Sequence, residues 1–342
     1  MYGGKLRILE LSGDPAECGF THGSTYGSMI REYLADRLGL ASEEKWSGGE
    51  ADLDLILQVA EETLPHHERY SSDLHAEMLA MADAAGITPA EAVVVGGFTD
   101  LVDVVRSRVG SAPDEHNCTA VLNPAAGFHA QTWDMHASAG EFVVLLDVMP
   151  DSGPRALVQT TAGCLGQIGM NEAGISIGIN NLTAMGKPGV TWPTVVRQAL
   201  IQTDFESAVE AVVGADLAGG HNFMVMGPGG KAANVEAMPA NKRVTMVDRP
   251  YVHTNHCVDP LTASEEGERL AEHVENSNIR LDVGTKLAHD LEAFFEEPLI
   301  SRQVEAAHDV GTCGAVIMEP PAGRMRAVWG VPGDHPWETF QL

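Results

Sequence analysis

Positive charge is scarce in this sequence: 21 lysines and arginines stand against 48 aspartates and glutamates, a formal net charge of −27. That balance excludes the basic surface that nucleic acid or an anionic membrane requires. A solvated acidic surface serves solubility or a salty milieu, and net charge alone does not place an amine-bearing substrate near a pocket. Long apolar runs are also missing. The longest, such as 142–146, are strand-sized and far from the roughly 18–20 residues of a membrane span. The start, Met1-Tyr2-Gly3-Gly4-Lys5-Leu6-Arg7, has no apolar signal region, so a cytoplasmic location is expected. Cysteine is limited to positions 18, 118, 164, 257 and 313, an odd number without a Cys-x-x-Cys pair. Reduced thiols are expected rather than a disulfide framework. No lysine-serine pair follows Gly227-Pro228-Gly229-Gly230, which reads as a hairpin turn and not a phosphate cradle. His253-x-x-His256 has a metal-like spacing, but no second ligand cluster follows it, so neither metal nor cofactor is expected.

What is present suits a protein of enzyme size. With 44% hydrophobic residues over 342 positions, the chain can bury a sizeable core as one large domain or two smaller ones. Residues 15–110 are helical in pattern, with Phe20, Tyr26, Met29, Ile30, Tyr33, Leu34 and Leu38 on one face. Thr88-Pro89-Ala90-Glu91 is a capping box that predicts a helix through Val93 to Val109. Residues 118–187 turn to strands. Ile175-Ser176-Ile177-Gly178-Ile179-Asn180 alternates as a half-buried strand does, after a hairpin turn at Asn171-Glu172-Ala173-Gly174. A helix over 192–214 carries a second capping box at Thr203-Asp204-Phe205-Glu206; strands follow, then helices near 262–297 and a closing strand pair, 314–319 and 325–329. Strand blocks between helix blocks predict an α+β fold of stacked layers.

Cys118 stands where helix pattern gives way to strand pattern, after the polar stretch Ser111-Ala112-Pro113-Asp114-Glu115-His116-Asn117, which reads as an exposed loop. An arbitrary cysteine is most often a small core residue. If the Asn117–Cys118 bond were cut, however, Cys118 would carry both a thiol and a free α-amine, a nucleophile with its own base. The sequence that follows points that way. Asn117-Cys118-Thr119, Gln131-Thr132-Trp133-Asp134, Gly169-Met170-Asn171-Glu172-Ala173-Gly174 with Ile179-Asn180-Asn181, and His253-Thr254-Asn255-His256 occur in one order. In that order and spacing they resemble the isopenicillin-N acyltransferase family of N-terminal-nucleophile hydrolases, close to the choloylglycine hydrolases.

The resemblance implies a four-layer α-β-β-α sandwich and self-cleavage into 1–117 and 118–342, two pieces that stay associated as one globular domain. It implies Cys118 as nucleophile, Asp134 beside its amine, and the Asn255 amide as an oxyanion donor. One of Asn180 and Asn181 would line the site; which of them is left open. Arg302 matches a family arginine that would hold a substrate carboxylate or pair with Asp134, although a surface arginine reads equally well. Arg326 is a second candidate in a more structural strand context. The expected function is a self-processing cysteine amidohydrolase, made as a zymogen, that cleaves linear non-peptide amide bonds of a small acyl-amine. The alternatives are an acyltransferase using the same acyl-enzyme, a papain-like cysteine protease, and a non-catalytic acidic binding protein; homo-oligomerisation stays open. The protease would need a Cys-Gly-Ser-Cys-Trp helix start, which Cys118 lacks.

Overall fold

The computed structural model describes residues 5–43, 46, 49, 51–110 and 117–342. The polar loop read at 111–117 therefore lies, except for Asn117, outside the described residues.

Strand β1 (Arg7–Gly13) leads into helices α1 (Pro15–Ala41), α2 (Leu53–Tyr70), α3 (Ser72–Ala85), α4 (Pro89–Gly96) and α5 (Phe98–Val109). The capping box at Thr88 and Glu91 is present, but the helix it opens stops at Gly97, where α5 begins in a new direction. The single helix expected here is two, because Gly97 adopts a non-helical backbone with φ −122° and ψ 36°. After Cys118 come β2 (Ala120–Asn123), β3 (Phe128–His136), β4 (Val143–Pro150), β5 (Ala156–Thr161), β6 (Ile168–Asn171) and β7 (Ser176–Leu182). Next are α6 (Trp192–Leu200), α7 (Phe205–Val213), β8 (Gly220–Met226), β9 (Ala232–Ala237), β10 (Lys242–Met246) and β11 (Tyr251–His253). The region expected as one helix over 192–214 is divided, and Asp204, not Thr203, caps the second half by accepting from the Ser207 amide. The chain ends with α8 (Pro260–Ala263), α9 (Ala271–Leu287), α10 (Leu291–Glu296), β12 (Val310–Glu319), β13 (Arg324–Trp329) and β14 (Glu338–Gln341).

The strands form two sheets. One has eight strands in the order β1-β4-β5-β6-β7-β8-β9-β10; the other has six, in the order β11-β2-β3-β12-β13-β14. All pairs are antiparallel except β1 with β4. The alternation in β7 shows how the layers stack. Ile177 and Ile179 join the main core with Val195 and Val196 of α6. On the other face, Ser176 meets His129 and the Asn180 amide reaches Cys118, so this face packs on the six-stranded sheet. A Cβ at Gly178 would lie 2.0 Å from Gln131 Oε1, so glycine is what lets the sheets approach here. Gln131 itself bridges the layers, accepting from the Ile179 amide at 2.8 Å and donating to its carbonyl at 3.1 Å. The strand expected to be half-buried is thus covered on both faces.

Phe294, Phe295, Ala288 and Ile300 pack against Val121, Ala130, Ile317 and Val328 on the outer face of the six-stranded sheet. Helices on the outside and two sheets within give the four-layer α-β-β-α sandwich. Ahead of the helical residues 15–110, β1 forms a seven-residue parallel ladder with β4. Its pattern escapes sequence reading because only one of its seven residues, Leu11, is buried. Among the described residues no single helix is long and apolar enough to cross a membrane.

Candidate active site

Cys118 stands two residues before β2, at a junction where neither neighbour is helical. Both it and Asn117 are buried, at 4% and 2% exposure. The thiol lies against the backbone of Asp134 in β3, with Sγ accepting from the Asp134 amide at 3.3 Å and 3.5 Å from its carbonyl oxygen. The β2–β3 hairpin creates this contact: Ala120 pairs with Gln131, and the Thr132 amide bonds to the Thr119 carbonyl, so position 118 falls beside position 134. The sixteen-residue spacing of Cys118 and Asp134 is the length of that hairpin.

Two side chains hold the Cys118 carbonyl. Asn180 Nδ2 donates to it at 3.2 Å and Arg280 Nη1 at 2.8 Å. The same Arg280 donates to Thr119 Oγ1 at 3.0 Å, to Asn255 Oδ1 at 3.0 Å and, through Nε, to Asn276 Oδ1 at 2.8 Å. Asn255 follows β11; its amide Nδ2 donates to the Asn181 carbonyl at 3.1 Å and its backbone N–H to Ser277 Oγ at 3.0 Å. An asparagine NH₂ carries two hydrogens, so the Asn181 contact leaves a second one for another acceptor. Asn180 and Asn181, left open by the sequence, are separated by strand alternation. The Asn180 side chain faces Cys118, steadied by Asn222 Nδ2 at 3.3 Å, whereas Asn181 contributes its carbonyl.

Asp134 is 2% exposed and its Oδ1 accepts from Thr312 Oγ1, its register partner in β12, at 2.8 Å, with the Thr132 side chain also acting on the carboxyl. Among the described residues its Oδ2 has no partner. Burial pushes its carboxyl up to about 7, against the lowering pull of Thr312, Arg280 and Arg302. Burial, with the Asp134 charge adding to it, pushes the Cys118 thiol up to about 12. Buried Arg280 is drawn down to about 10, which leaves it a cation at neutral pH. Arg302 is tied to Asp134 through Thr312: its N–H donates to Thr312 Oγ1 at 2.9 Å. Arg302 and Thr312 also line a cavity of about 570 Å³ between the 302–307 loop and residues 330–335. Arg326, on β13, lies 3.7 Å from Glu319 at the end of β12.

The sequence reading missed Arg280. It lies on α9, whose buried residues are Ser277, Arg280 and Gly284, while Val274 and Ile279 are exposed. A stripe at i, i+3 and i+7 was there to be read, but it is polar and small, and apolar periodicity passes over it. The two histidines of the His-x-x-His run are engaged elsewhere. His253 Nε2 meets Glu236 at 2.9 Å, and His256 Nδ1 meets Ser277 Oγ at 2.8 Å. Among the described residues no three metal-ligating side chains cluster.

Comparison with known proteins extends the same pattern. The family model for acyl-coenzyme A:6-aminopenicillanic acid acyl-transferase matches residues 123–330, well over half of the chain. That span includes Asp134, Asn180, Asn255, Arg280 and Arg302 and begins just after Cys118. The 40 kDa form of acyl-coenzyme A:6-aminopenicillanic-acid-acyltransferase from Emericella nidulans is 27% identical over 254 residues, 72% of this chain and 68% of that protein. Among solved structures, a mutant of conjugated bile acid hydrolase from Clostridium perfringens aligns over 66% of this chain and 92% of its own, with a TM-score of 0.46 and 11% identity. Penicillin V acylase from Agrobacterium tumefaciens aligns over 66% and 86%, with a TM-score of 0.38 and 9% identity. The chain belongs to the acyl-coenzyme A:6-aminopenicillanic acid acyl-transferase family.

Proposed function

We propose that this chain is a self-processing cysteine amidohydrolase acting on small acyl-amines. The observation that carries the reading is the Cys118 thiol seated on the backbone of Asp134, whose buried Oδ2 awaits a donor. In the precursor, Sγ attacks the Asn117 carbonyl, and the carbon–nitrogen bond to Cys118 breaks as the nitrogen takes up a proton. Water then hydrolyses the Asn117 thioester, leaving a carboxylate and a free thiol. The new α-amine, with an ordinary pKa of about 7.7–8.0, accepts the thiol proton and later passes it to the leaving amine. Asp134 Oδ2 would hold the ammonium form, which offsets the desolvation of the carboxylate. The second Asn255 hydrogen would meet the developing oxyanion. Arg302 would hold a substrate carboxylate or pair with Asp134.

The strand setting of Cys118 supports this over a papain-like protease, whose nucleophile opens a helix. An acyl-thioenzyme also serves an acyltransferase, the activity in the name of the Emericella relative; water as acceptor makes hydrolysis the outcome here. A panel of N-acyl amines and N-acyl amino acids, read by release of free amine, tests the reading. Turnover of small amides with no digestion of casein is expected; casein digestion without small-amide turnover would replace it with the protease.

The pH dependence of processing follows from Asp134. Below about 7 the carboxyl keeps its proton in the uncut chain and cannot take one from the thiol; above it, the carboxylate can. Cleavage between Asn117 and Cys118, followed on gels from pH 5 to 9, should accelerate through about 7. Asp134→Asn should process slowly with a flat profile. An inflection near 7 that survives Asp134→Asn would take Asp134 out of this role.

A further inference from the structure

Asn180 and Asn255 are joined to the Cys118 carbonyl, one directly and the other through Arg280, yet they come from different sheets. Asn180 is on β7 of the eight-stranded sheet, whereas Asn255 follows β11, a three-residue strand at the edge of the six-stranded one. A short strand with one neighbour fixes the chain beyond it weakly. Glu236 of β9 stands in the row of Asn180. Asn180 pairs with Asn222 of β8 and Asn222 with Glu236, so these side chains leave the eight-stranded sheet on one face.

The buried Glu236 carboxylate meets the chain on both sides of Asn255. Oε1 lies 2.9 Å from His253 Nε2 and accepts from the Val258 amide at 2.7 Å. Oε2 accepts from the Asp259 amide at 3.2 Å and from the Thr262 hydroxyl of α8. One oxygen therefore closes the loop 254–257 at both of its ends. Burial would push this carboxyl up, but His253, Thr262 and the Val258 amide together hold it below the usual glutamate value. Apolar packing adds Cys257, set among Leu182, Ala184 and Met238, whereas Val258 and Leu261 are exposed. Polar bonds are thus the main tie between this segment and the eight-stranded sheet.

We propose that Glu236 is a positioning residue for the Cys118 reaction, clamping the 254–257 loop so that the Asn255 amide is aimed at the developing oxyanion. The inference rests on the oxyanion role of Asn255 in the proposed function. Arg280 and Ser277 hold Asn255 from α9, and Glu236 holds its loop from the opposite sheet, the side on which Asn255 Nδ2 donates to Asn181. Such aim matters because a misplacement of about 1 Å can cost on the order of 10²-fold in rate. A carboxylate suits the task because it only accepts. In Glu236→Gln the shape is kept, but each oxygen position faces a backbone N–H, Val258 at one and Asp259 at the other. The new NH₂ is set against one of them whichever way the amide turns.

Steady-state kinetics of processed wild type, Glu236→Gln, Asn255→Ala and the double variant test the clamp, with the fastest member of the N-acyl panel as substrate. In Glu236→Gln, kcat should fall at least about tenfold with KM within about threefold, because the donor matters most once charge has formed. In the Asn255→Ala background the same substitution should cost less than about twofold, since the group it acts through is gone. A kcat within about twofold of wild type, a loss carried by KM, or losses that multiply as separate structural roles do would overturn the proposal. The two readings fail differently. A wild-type turnover number in Asn255→Ala removes the oxyanion assignment and the clamp with it, whereas a loss there without one in Glu236→Gln removes the clamp alone. A crystal structure of Glu236→Gln decides the geometry without any substrate. The Asn255 contact to the Asn181 carbonyl should lengthen from 3.1 Å while Asn180 stays on the Cys118 carbonyl, and an unmoved Asn255 overturns the proposal. Should Glu236→Gln not fold, Thr262→Val removes one bond to the same carboxylate. A kcat loss of about threefold that vanishes in Asn255→Ala supports the clamp, and no loss overturns it.

Discussion

Cys118→Ala should run as a single 36.4 kDa chain, whereas the wild-type protein should separate under denaturing conditions into residues 1–117 and 118–342. The substitution removes only Sγ, which is the atom that must form the thioester, and leaves the backbone bonds from Asn180 and Arg280 to the 118 carbonyl in place. The loss of one small buried atom is a modest perturbation, so the variant should fold and fail only at cleavage. Under native conditions the two wild-type fragments should co-elute. Strand β1 of the first fragment is paired with β4 of the second over seven residues, and the main core draws Ile30, Val59 and Val104 from one and Val144, Ile177 and Val195 from the other. Intact mass and N-terminal sequencing of material expressed without added protease provide the measurement. Cleavage of the alanine variant at the same bond would show that an outside agent makes the cut, and the nucleophile would lose its support.

The polar half of this site was legible through the family resemblance, and local signals account for only part of it. The β2–β3 hairpin fixes the distance from Cys118 to Asp134, and the alternation through Ile177, Gly178, Ile179 and Asn180 says that two faces exist. It could not say that both faces are buried, since the cover for one of them is a sheet formed by strands distant in sequence. Breaks in helices were lost for a related reason. At Gly97 the capping and the apolar pattern continue on either side, and a Cβ there would lie 2.5 Å from Thr191 Cγ2, a contact from another part of the chain. Arg280 was missed because it reaches Cys118 across 162 residues from a helix on which Val274 and Ile279 face out.

Arg280→Gln is expected to damage the site about as much as loss of the Asn255 side chain. It deletes donors to the Cys118 carbonyl, Thr119 and Asn255 together, and it takes away a cation that draws the Asp134 carboxyl down. Loss of one donor of oxyanion-hole type costs roughly 2.7–4 kcal/mol, or about 10²–10³ in rate, and Asn255→Ala should show that loss on purified, processed enzyme. Arg280→Gln should cost a similar factor, because Asn255 then loses the partner that fixes its Oδ1. The double variant should be little worse than either single one, since both disturb one unit, whereas independent roles would multiply. Charge and geometry separate in a second measurement. With Thr312, Thr132 and Arg302 left to oppose burial, the Asp134 carboxyl should rise above about 7, and the acid limb of precursor cleavage should move to higher pH in Arg280→Gln. Arg280→Lys restores the cation without the planar fork, so it should return the limb toward its original place and leave the rate low. An Arg280→Gln protein with a wild-type turnover number, or with an unmoved limb, would make Arg280 a packing residue beneath the site.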